Sequence, residues 1–405
     1  MKVIGKRSSA MSDNTQKLHG KNTVLLFCLM TGAFWFSQYA YMPQLTKYAS
    51  QIGASMQTIG LISGAYGLSQ VLLRVPLGLY SDYLGKRKVF VLTGLTMTVL
   101  SPLIVLMGSD PKALIVARFF SGVAAATWVN ITVMFSEYFR NAESTKAIGI
   151  INSTNRFGQL AAFVVGGIVV AALNVRAAFA LSAAMGALAL LIGFRLKETG
   201  SKATDGKSFK IKHILRLYKN RRLVSVSILG LLSQLITFST VYSFTPLLAT
   251  DLGAQSVHLN VFNILFMLPQ IVFAALSGTL IRDRIGEKAT LSAGFLLVTA
   301  CCLITPFLTY YTQLYPVMLL SGIGNSLSFP LLMGIAIKDV EVAYKSSAMG
   351  FYQSVYAVGM TIGPILIGMV SGEFGLTSGF LTVGSIGLLA LGAVHFPAAG
   401  IEGRK

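Results

Sequence analysis

The chain is 405 residues long, 54% hydrophobic and only 12% charged, with a mean hydropathy of +0.69. A soluble domain spends about a quarter of its residues on charge, so there is too little polar surface here to coat a water-soluble protein of this length. The formal net charge of +19, from 33 Lys and Arg against 14 Asp and Glu, falls in short clusters between apolar runs, not along one basic helical face interleaved with aromatics, which excludes nucleic acid as the partner.

Residues 1–22 are polar and basic. The apolar run that follows is too long for a signal h-region and lacks a small-residue cleavage site, so it is expected to stay as an anchor. Apolar stretches long enough to cross about 30 Å of hydrocarbon fall near 23–46, 57–80, 89–108, 113–135, 147–173 and 177–194. A second set falls near 223–249, 258–280, 290–309, 314–336, 347–371 and 378–396. The expected fold class is an all-α membrane protein of twelve transmembrane helices in two six-helix bundles. The bundles are read as 23–194 and 223–396, flanked by tails 1–22 and 397–405. The last residues, Ile401-Glu402-Gly403-Arg404, read as a protease recognition scar or as a natural polar tail.

With the N-terminus inside, 27 of the 33 basic residues fall in cytoplasmic loops and tails, and only Lys47, Lys112 and Arg176 fall in outer loops. That asymmetry predicts a multi-pass protein of the cytoplasmic membrane with both termini cytoplasmic. The charged segment 195–222 separates the halves. Within it Ile211, Ile214, Leu215 and Tyr218 recur at helical spacing among lysines and arginines, the pattern either of a helix lying on an anionic membrane surface or of a solvated basic linker.

The halves resemble each other at an offset near 201. Asp82 and Gly85 match Asp283 and Gly286, Ser121-Gly122 matches Ser321-Gly322, and Ala147, Gly149 and Gly158 match Ala348, Gly350 and Gly359. Such parallel six-span repeats let two bundles rock about a central site.

After the second span comes Gly78-Leu-Tyr-Ser-Asp82-Tyr-Leu-Gly85-Lys86-Arg87-Lys88, and the fourth carries Arg118-Phe-Phe-Ser-Gly122. With the twelve spans, the repeat and the basic central loop, this resembles the major facilitator superfamily over essentially the whole chain, through its G-x-x-x-D-x-x-G-R-[RK] loop and R-x-x-x-G motifs. The resemblance implies a latch built on that loop, with Glu137 at the end of the fourth span pairing with the motif's cation. Position 83 is Tyr where the family commonly has Arg or Lys. Gly78 is expected to allow close helix approach, and Gly85 a turn free of Cβ strain. Asp82 is placed to meet helix N-terminal amides or neighbouring cations. The fifth span matches the exporters' G-x8-G-x3-G-P-x2-G only in part, with Ala162-Phe163 replacing Gly-Pro.

Three charged residues lie inside spans, Arg74, Arg118 and Arg156, while all fourteen acids lie in tails, loops or span ends. Intramembrane charges are costly and so are functional candidates. Arg156 is near the midplane and shares a polar helical face with Asn152 and Gln159. Two readings stay open for it, a substrate or counter-charge role and a bridge to helix carbonyls. Arg118 reads as gating, coupling or structural, and Arg74 is expected to pair with Asp82 two turns away. In the family the first, fourth, seventh and tenth spans line the cavity. The resemblance therefore marks Gln38, Tyr41, Trp128, Asn130, Gln234, Tyr242 and Asn325 as liners, with Gln353 and Tyr356 from the eleventh span.

These observations point to a secondary transporter that moves a small organic solute by alternating access, with proton-coupled efflux as its form. The alternatives are an organic-anion carrier or exchanger using the intramembrane arginines, and a non-transporting membrane sensor. The expected partners are a small-molecule substrate, the bilayer, and protons or a counter-transported anion, with the chain acting as a monomer. No cofactor is implied: there is no Gly-x-x-x-x-Gly-Lys-[Ser/Thr] run, and the cysteines and histidines lack metal-ligand spacing. No nucleophile or base constellation suggests an enzyme.

Overall fold

The computed structural model describes residues 21–108, 110–139, 144–198, 220–276, 282–338, 340 and 345–396. The proposed surface helix at 211–218, both tails, and the side chains of Asp82 and Asp283 lie outside the described residues. All twelve spans are helical, and several run past the ends read from hydropathy. The first is Lys21–Tyr39, continued after a 3-10 turn Met42–Gln44 by Leu45–Gln51. Then come Met56–Leu84 and Lys88–Met107, the pair Pro111–Ala126 and Trp128–Ser136, and Ser144–Ala172 and Val175–Arg195.

The second half opens with Arg221–Ser239, a π-helical turn Thr240–Phe244 and Thr245–Asp251. Ser256–Leu276, Glu287–Ile304 and Leu314–Lys338 follow. The last two spans form the helix Lys345–His395, broken where Gly375 takes φ 83° and ψ 163°. Only glycine adopts that conformation without strain.

The chain writes its own helix starts. Ser55, Asp110, Asn174 and Asn220 each accept a backbone N–H of the first turn through a side-chain oxygen, and Pro111 stands at a first-turn position where its missing N–H costs nothing. Large apolar side chains such as Leu29, Leu72, Ile168, Leu191, Val272 and Leu389 are exposed around the outside of the helices. That inversion of the soluble pattern is what a lipid solvent asks for.

The repeat seen in the sequence is a repeat of packing. A Cβ on Gly122 would meet the Tyr66 carbonyl, and one on Gly322 would meet the Phe266 carbonyl. Gly53 and Gly253 turn the chain after the first and seventh spans at φ 86° and 88°. One apolar cluster, Phe27 to Leu196, belongs to the first half and another, Leu223 to Val394, to the second. A third draws on both halves and includes Leu45, Phe179, Leu247, Met267 and Ile367.

That shared cluster sits toward the membrane face opposite the 81–88 loop. There Gln44 donates to the Ser256 carbonyl at 2.7 Å and Lys47 to the Ser256 hydroxyl at 3.0 Å, tying the first span to the eighth. Gly64 is pressed on the Thr361 carbonyl and Gly167 on Asn260. The face carrying the 81–88 loop, the basic face, is different. Among the described residues nothing lies within 4 Å of a Cβ built at Gly149, Gly334 or Gly350 near it.

Candidate substrate site between the two halves

On the fifth span, residues at helical spacing form one stripe: Gly149, Asn152, Arg156, Phe163 and Gly167. Gly167 and Phe163 are buried, the former against Asn260 of the other half, whereas Asn152 and Gly149 on the same stripe are exposed. Arg156 stands between them, half-buried. The seam between the halves therefore opens at Arg156.

The second span repeats the pattern. Its stripe Gly64, Gly67, Val71, Arg74 and Gly78 packs on the eleventh span as far as Arg74, whose Nη1 donates to the Tyr356 hydroxyl at 2.9 Å. One turn further, a Cβ at Gly78 would meet, among the described residues, nothing closer than Val129 of its own half, at 4.0 Å. The expected close approach at Gly78 is thus absent in this conformation, and Gly64 and Gly67 supply it instead. Arg74 Nη2 also donates to Gln70 Oε1 at 2.5 Å, so its described bonds go to Gln70 and Tyr356; its expected partner, the Asp82 side chain, lies outside the described residues.

Between these two seams lies a floor of aromatic rings drawn from both halves. Tyr39 meets Tyr242 with centroids 6.3 Å apart, Tyr242 meets Phe238 at 5.2 Å, and Phe238 stacks on Tyr66 at 5.9 Å. The Arg118 guanidinium lies 4.3 Å from the centre of the Tyr66 ring, a cation–π contact, and its Nη1 donates to the Ser121 hydroxyl at 3.1 Å. Ser121 in turn donates to Gln38 Oε1, and Gln38 Nε2 donates to Thr98 at 3.2 Å. Gln38, Tyr39, Tyr66, Arg118, Phe238 and Tyr242 line a void of about 10 Å³, room for about one water molecule.

Among the described residues Arg156 has no hydrogen-bond or ion-pair partner. Tyr242 owes its place to the π-helical turn, which adds a residue to the helix and re-aims its side chain, a device common at functional sites.

The remaining expected liners fall elsewhere. Tyr41 stacks on Phe179 at 4.6 Å in the shared core, because the first span ends as an α-helix at Tyr39 and the 3-10 turn shifts the register beyond it. Tyr39 takes the position expected of Tyr41. Trp128 packs edge-on to Trp35 at 5.2 Å inside the first half. Asn130 is fully buried with neither side-chain polar atom bonded. Asn325 donates to Thr237 at 3.0 Å, pinning the tenth span to the seventh, and Gln234 is buried on the seventh. Gln159 donates to Asn155 at 2.5 Å, and Gln353 is partly buried with its Oε1 unbonded.

At the basic face the loop after the second span is held by its cations. Gly85 ends the helix at φ 61°, and Arg87 Nε donates to Glu137 Oε1 at 2.8 Å. The backbone N–H groups of Arg87 and Lys88 donate to the Glu198 carboxylate at 3.0 and 3.2 Å, where a negative charge meets a helix N-terminus. Lys86 is exposed. Glu198 was not foreseen as part of this cluster; the signal available was only its place just after the sixth span. The Tyr138 hydroxyl, bonded to the Lys197 carbonyl at 2.7 Å, is pushed up by burial and by the nearby Glu198 and Glu137 carboxylates.

Two six-helix bundles around a polar crevice, packed together toward one face and, among the described residues, parted toward the other, define a membrane transporter. The chain belongs to the Major Facilitator Superfamily, whose family model matches residues 27–336 and 226–402. It is 24% identical over 347 residues to the uncharacterized MFS-type transporter MJ1560 of Methanocaldococcus jannaschii, covering 83% of this chain and 88% of that one. To the class E tetracycline resistance protein of Escherichia coli it is 24% identical over 316 residues, covering 76% and 77%. The crystal structure of the nucleoside transporter NupG shares the fold with a TM-score of 0.76 at 16% identity, over 92% of this chain and 98% of that one.

Proposed function

We propose that this secondary transporter exports a small organic solute across the cytoplasmic membrane by alternating access, with the basic face in the cytoplasm. The single observation carrying the reading is the pair of seams that open at the same level, at Arg74 and Arg156, onto a floor contributed by both halves. Rocking the halves about that floor exchanges which face is open. The basic-residue asymmetry supports the orientation, and in that orientation the crevice faces the cytoplasm. Export draws its support from the class E tetracycline resistance protein, a relative named for resistance.

The test is flux of a panel of small organic solutes into inside-out membrane vesicles, with and without an imposed proton gradient. Gradient-driven uptake of at least one solute, abolished by a protonophore, is the expected result. Flux that is indifferent to the gradient removes proton coupling, and no flux of any solute in either direction removes the transporter reading in favour of a sensor.

A further inference from the structure

The void in the aromatic floor is lined by one cation and by unspent hydrogen-bond donors. Arg118 is 2% exposed; its Nη1 donates to Ser121, its guanidinium lies 4.3 Å from the centre of the Tyr66 ring, and its Nε is buried without a partner. Three phenols share the lining, Tyr39, Tyr66 and Tyr242, and none of their hydroxyls is bonded among the described residues. The amide in the lining has nothing to spare. Gln38 Oε1 accepts from Ser121, and its Nε2 donates to Thr98 at 3.2 Å.

No acid is placed to neutralise Arg118, since all fourteen fall outside the hydrophobic interior. A buried guanidinium without an opposite charge is costly, and a water in the void would solvate that charge without cancelling it. The same charge repels a cation. A carboxylate is too large for a space with room for about one water molecule. What the lining suits is a single-atom anion, which accepts from every side and so matches a ring of donors. Chloride is somewhat larger than water, and small turns of the half-buried Tyr39 and Tyr242 rings, which also give access from the crevice, supply the difference.

We propose that this void is a chloride site, in which the ion sits against Arg118 as its counter-charge and accepts hydrogen bonds from the surrounding phenols. Tyr39, Tyr66 and Arg118 belong to the first half and Tyr242 to the second. The bound ion therefore ties the two halves at the floor and stabilises the arrangement in which the floor is assembled. The inference goes beyond the transport reading and holds whatever solute is carried.

The experiment uses the full chain purified in chloride-free buffer, with sodium chloride titrated against sodium gluconate at constant ionic strength, gluconate being too large for the void. The expected result is a melting temperature that rises with chloride and saturates, together with retention of radiolabelled chloride in equilibrium dialysis at a single ion per chain. Tyr66→Phe and Tyr242→Phe each keep the ring and remove one donor. Each is expected to weaken half-saturation by roughly 10-fold or more, the worth of a hydrogen bond to a charged group. Arg118→Gln is expected to abolish both responses, with its size-exclusion profile as the check on folding; where that variant does not fold, the two phenylalanine variants decide. Identical melting in chloride and gluconate with no retained label overturns the proposal and leaves the void to water. A parent-like chloride response in both phenylalanine variants, or in a folded Arg118→Gln, overturns it by placing the ion elsewhere. The transporter reading is untouched by either result.

Discussion

Glu137 and Lys338 stand 201 positions apart, at the ends of the fourth and tenth spans, and close equivalent ion pairs with the charges exchanged. Arg87 Nε donates to Glu137 Oε1 at 2.8 Å in one half, and Lys338 Nζ donates to Glu287 Oε1 at 3.0 Å in the other, where Arg222 adds a 3.4 Å contact. The acid sits at the span end in the first half and beside the loop in the second, where Glu287 corresponds to Lys86 and not to Arg87. With side chains 11% and 24% exposed, the Arg87–Glu137 pair is shielded enough to matter. Arg87→Met and Glu137→Gln are each expected to lower the apparent melting temperature in detergent. Their double variant should fall little further than either, corresponding to a coupling of about 1 kcal/mol. Additive losses would show that the two side chains act separately.

The Arg74–Tyr356 bond is the last contact of its seam before the crevice opens, so it holds the halves at a set separation. Tyr356→Phe removes only the hydroxyl. A hydrogen bond to a charged group is worth about 1.5–3 kcal/mol, which corresponds to a roughly 10- to 150-fold change in a two-state equilibrium. Spin-label distances across the basic face are expected to broaden toward the other state in this variant, with turnover altered at unchanged expression. A distance distribution identical to the parent's would remove the bond from the conformational equilibrium.

Gly64 and Gly149 lie on opposite sides of the level at which the seams open. A Cβ at Gly64 runs into the Thr361 carbonyl at 2.7 Å, whereas one at Gly149 meets nothing within 4 Å. Gly64→Ala is therefore expected to hinder closure opposite the basic face and to cost about 1–3 kcal/mol of overpacking. Gly149→Ala should leave this conformation unstrained. Equal effects of the two on melting temperature would contradict the assigned seam.

Asn130 is fully buried and neither its Oδ1 nor its Nδ2 has a partner. Replacing an unsatisfied polar group with an apolar one of similar shape is neutral or stabilising. Asn130→Leu is expected to keep or raise the melting temperature, by about 1 kcal/mol in stability. A fall would mean that the amide is bonded in another state of the cycle, and transport by the variant would then be the measurement to make.

Orientation has its own check. A cysteine introduced as Ser201→Cys in the central segment is expected to resist an impermeant thiol reagent in intact cells and to react in inside-out vesicles. Labelling in intact cells would reverse the assignment of the faces.

The twelve spans, the two halves and the loop motif were legible in the sequence because each is a local or periodic signal. Lipid demands about 20 apolar residues per helix, and the pairing of a loop cation with Glu137 is what the family resemblance implied. The liners were legible only in part. Gln38 and Tyr242 line the small void between the halves, whereas Tyr41 stacks on Phe179 because a 3-10 turn ends the α-helical register at Tyr39. Trp128, expected as a liner, is half-buried and packs edge-on to Trp35 of the first half.

What the sequence by itself determined is that an arginine at position 156 has no acid at its depth, since the fourteen acids all fall outside the hydrophobic interior. Only the tertiary structure decided that Arg156 stands where the seam opens, that Arg74 bonds across to Tyr356, and that Tyr39, Tyr66 and Phe238 form the floor. Charge depth is a property of position along one helix. Which face of that helix meets which other helix depends on how two bundles, each folded on its own core, come to rest against each other, and no local pattern encodes that contact.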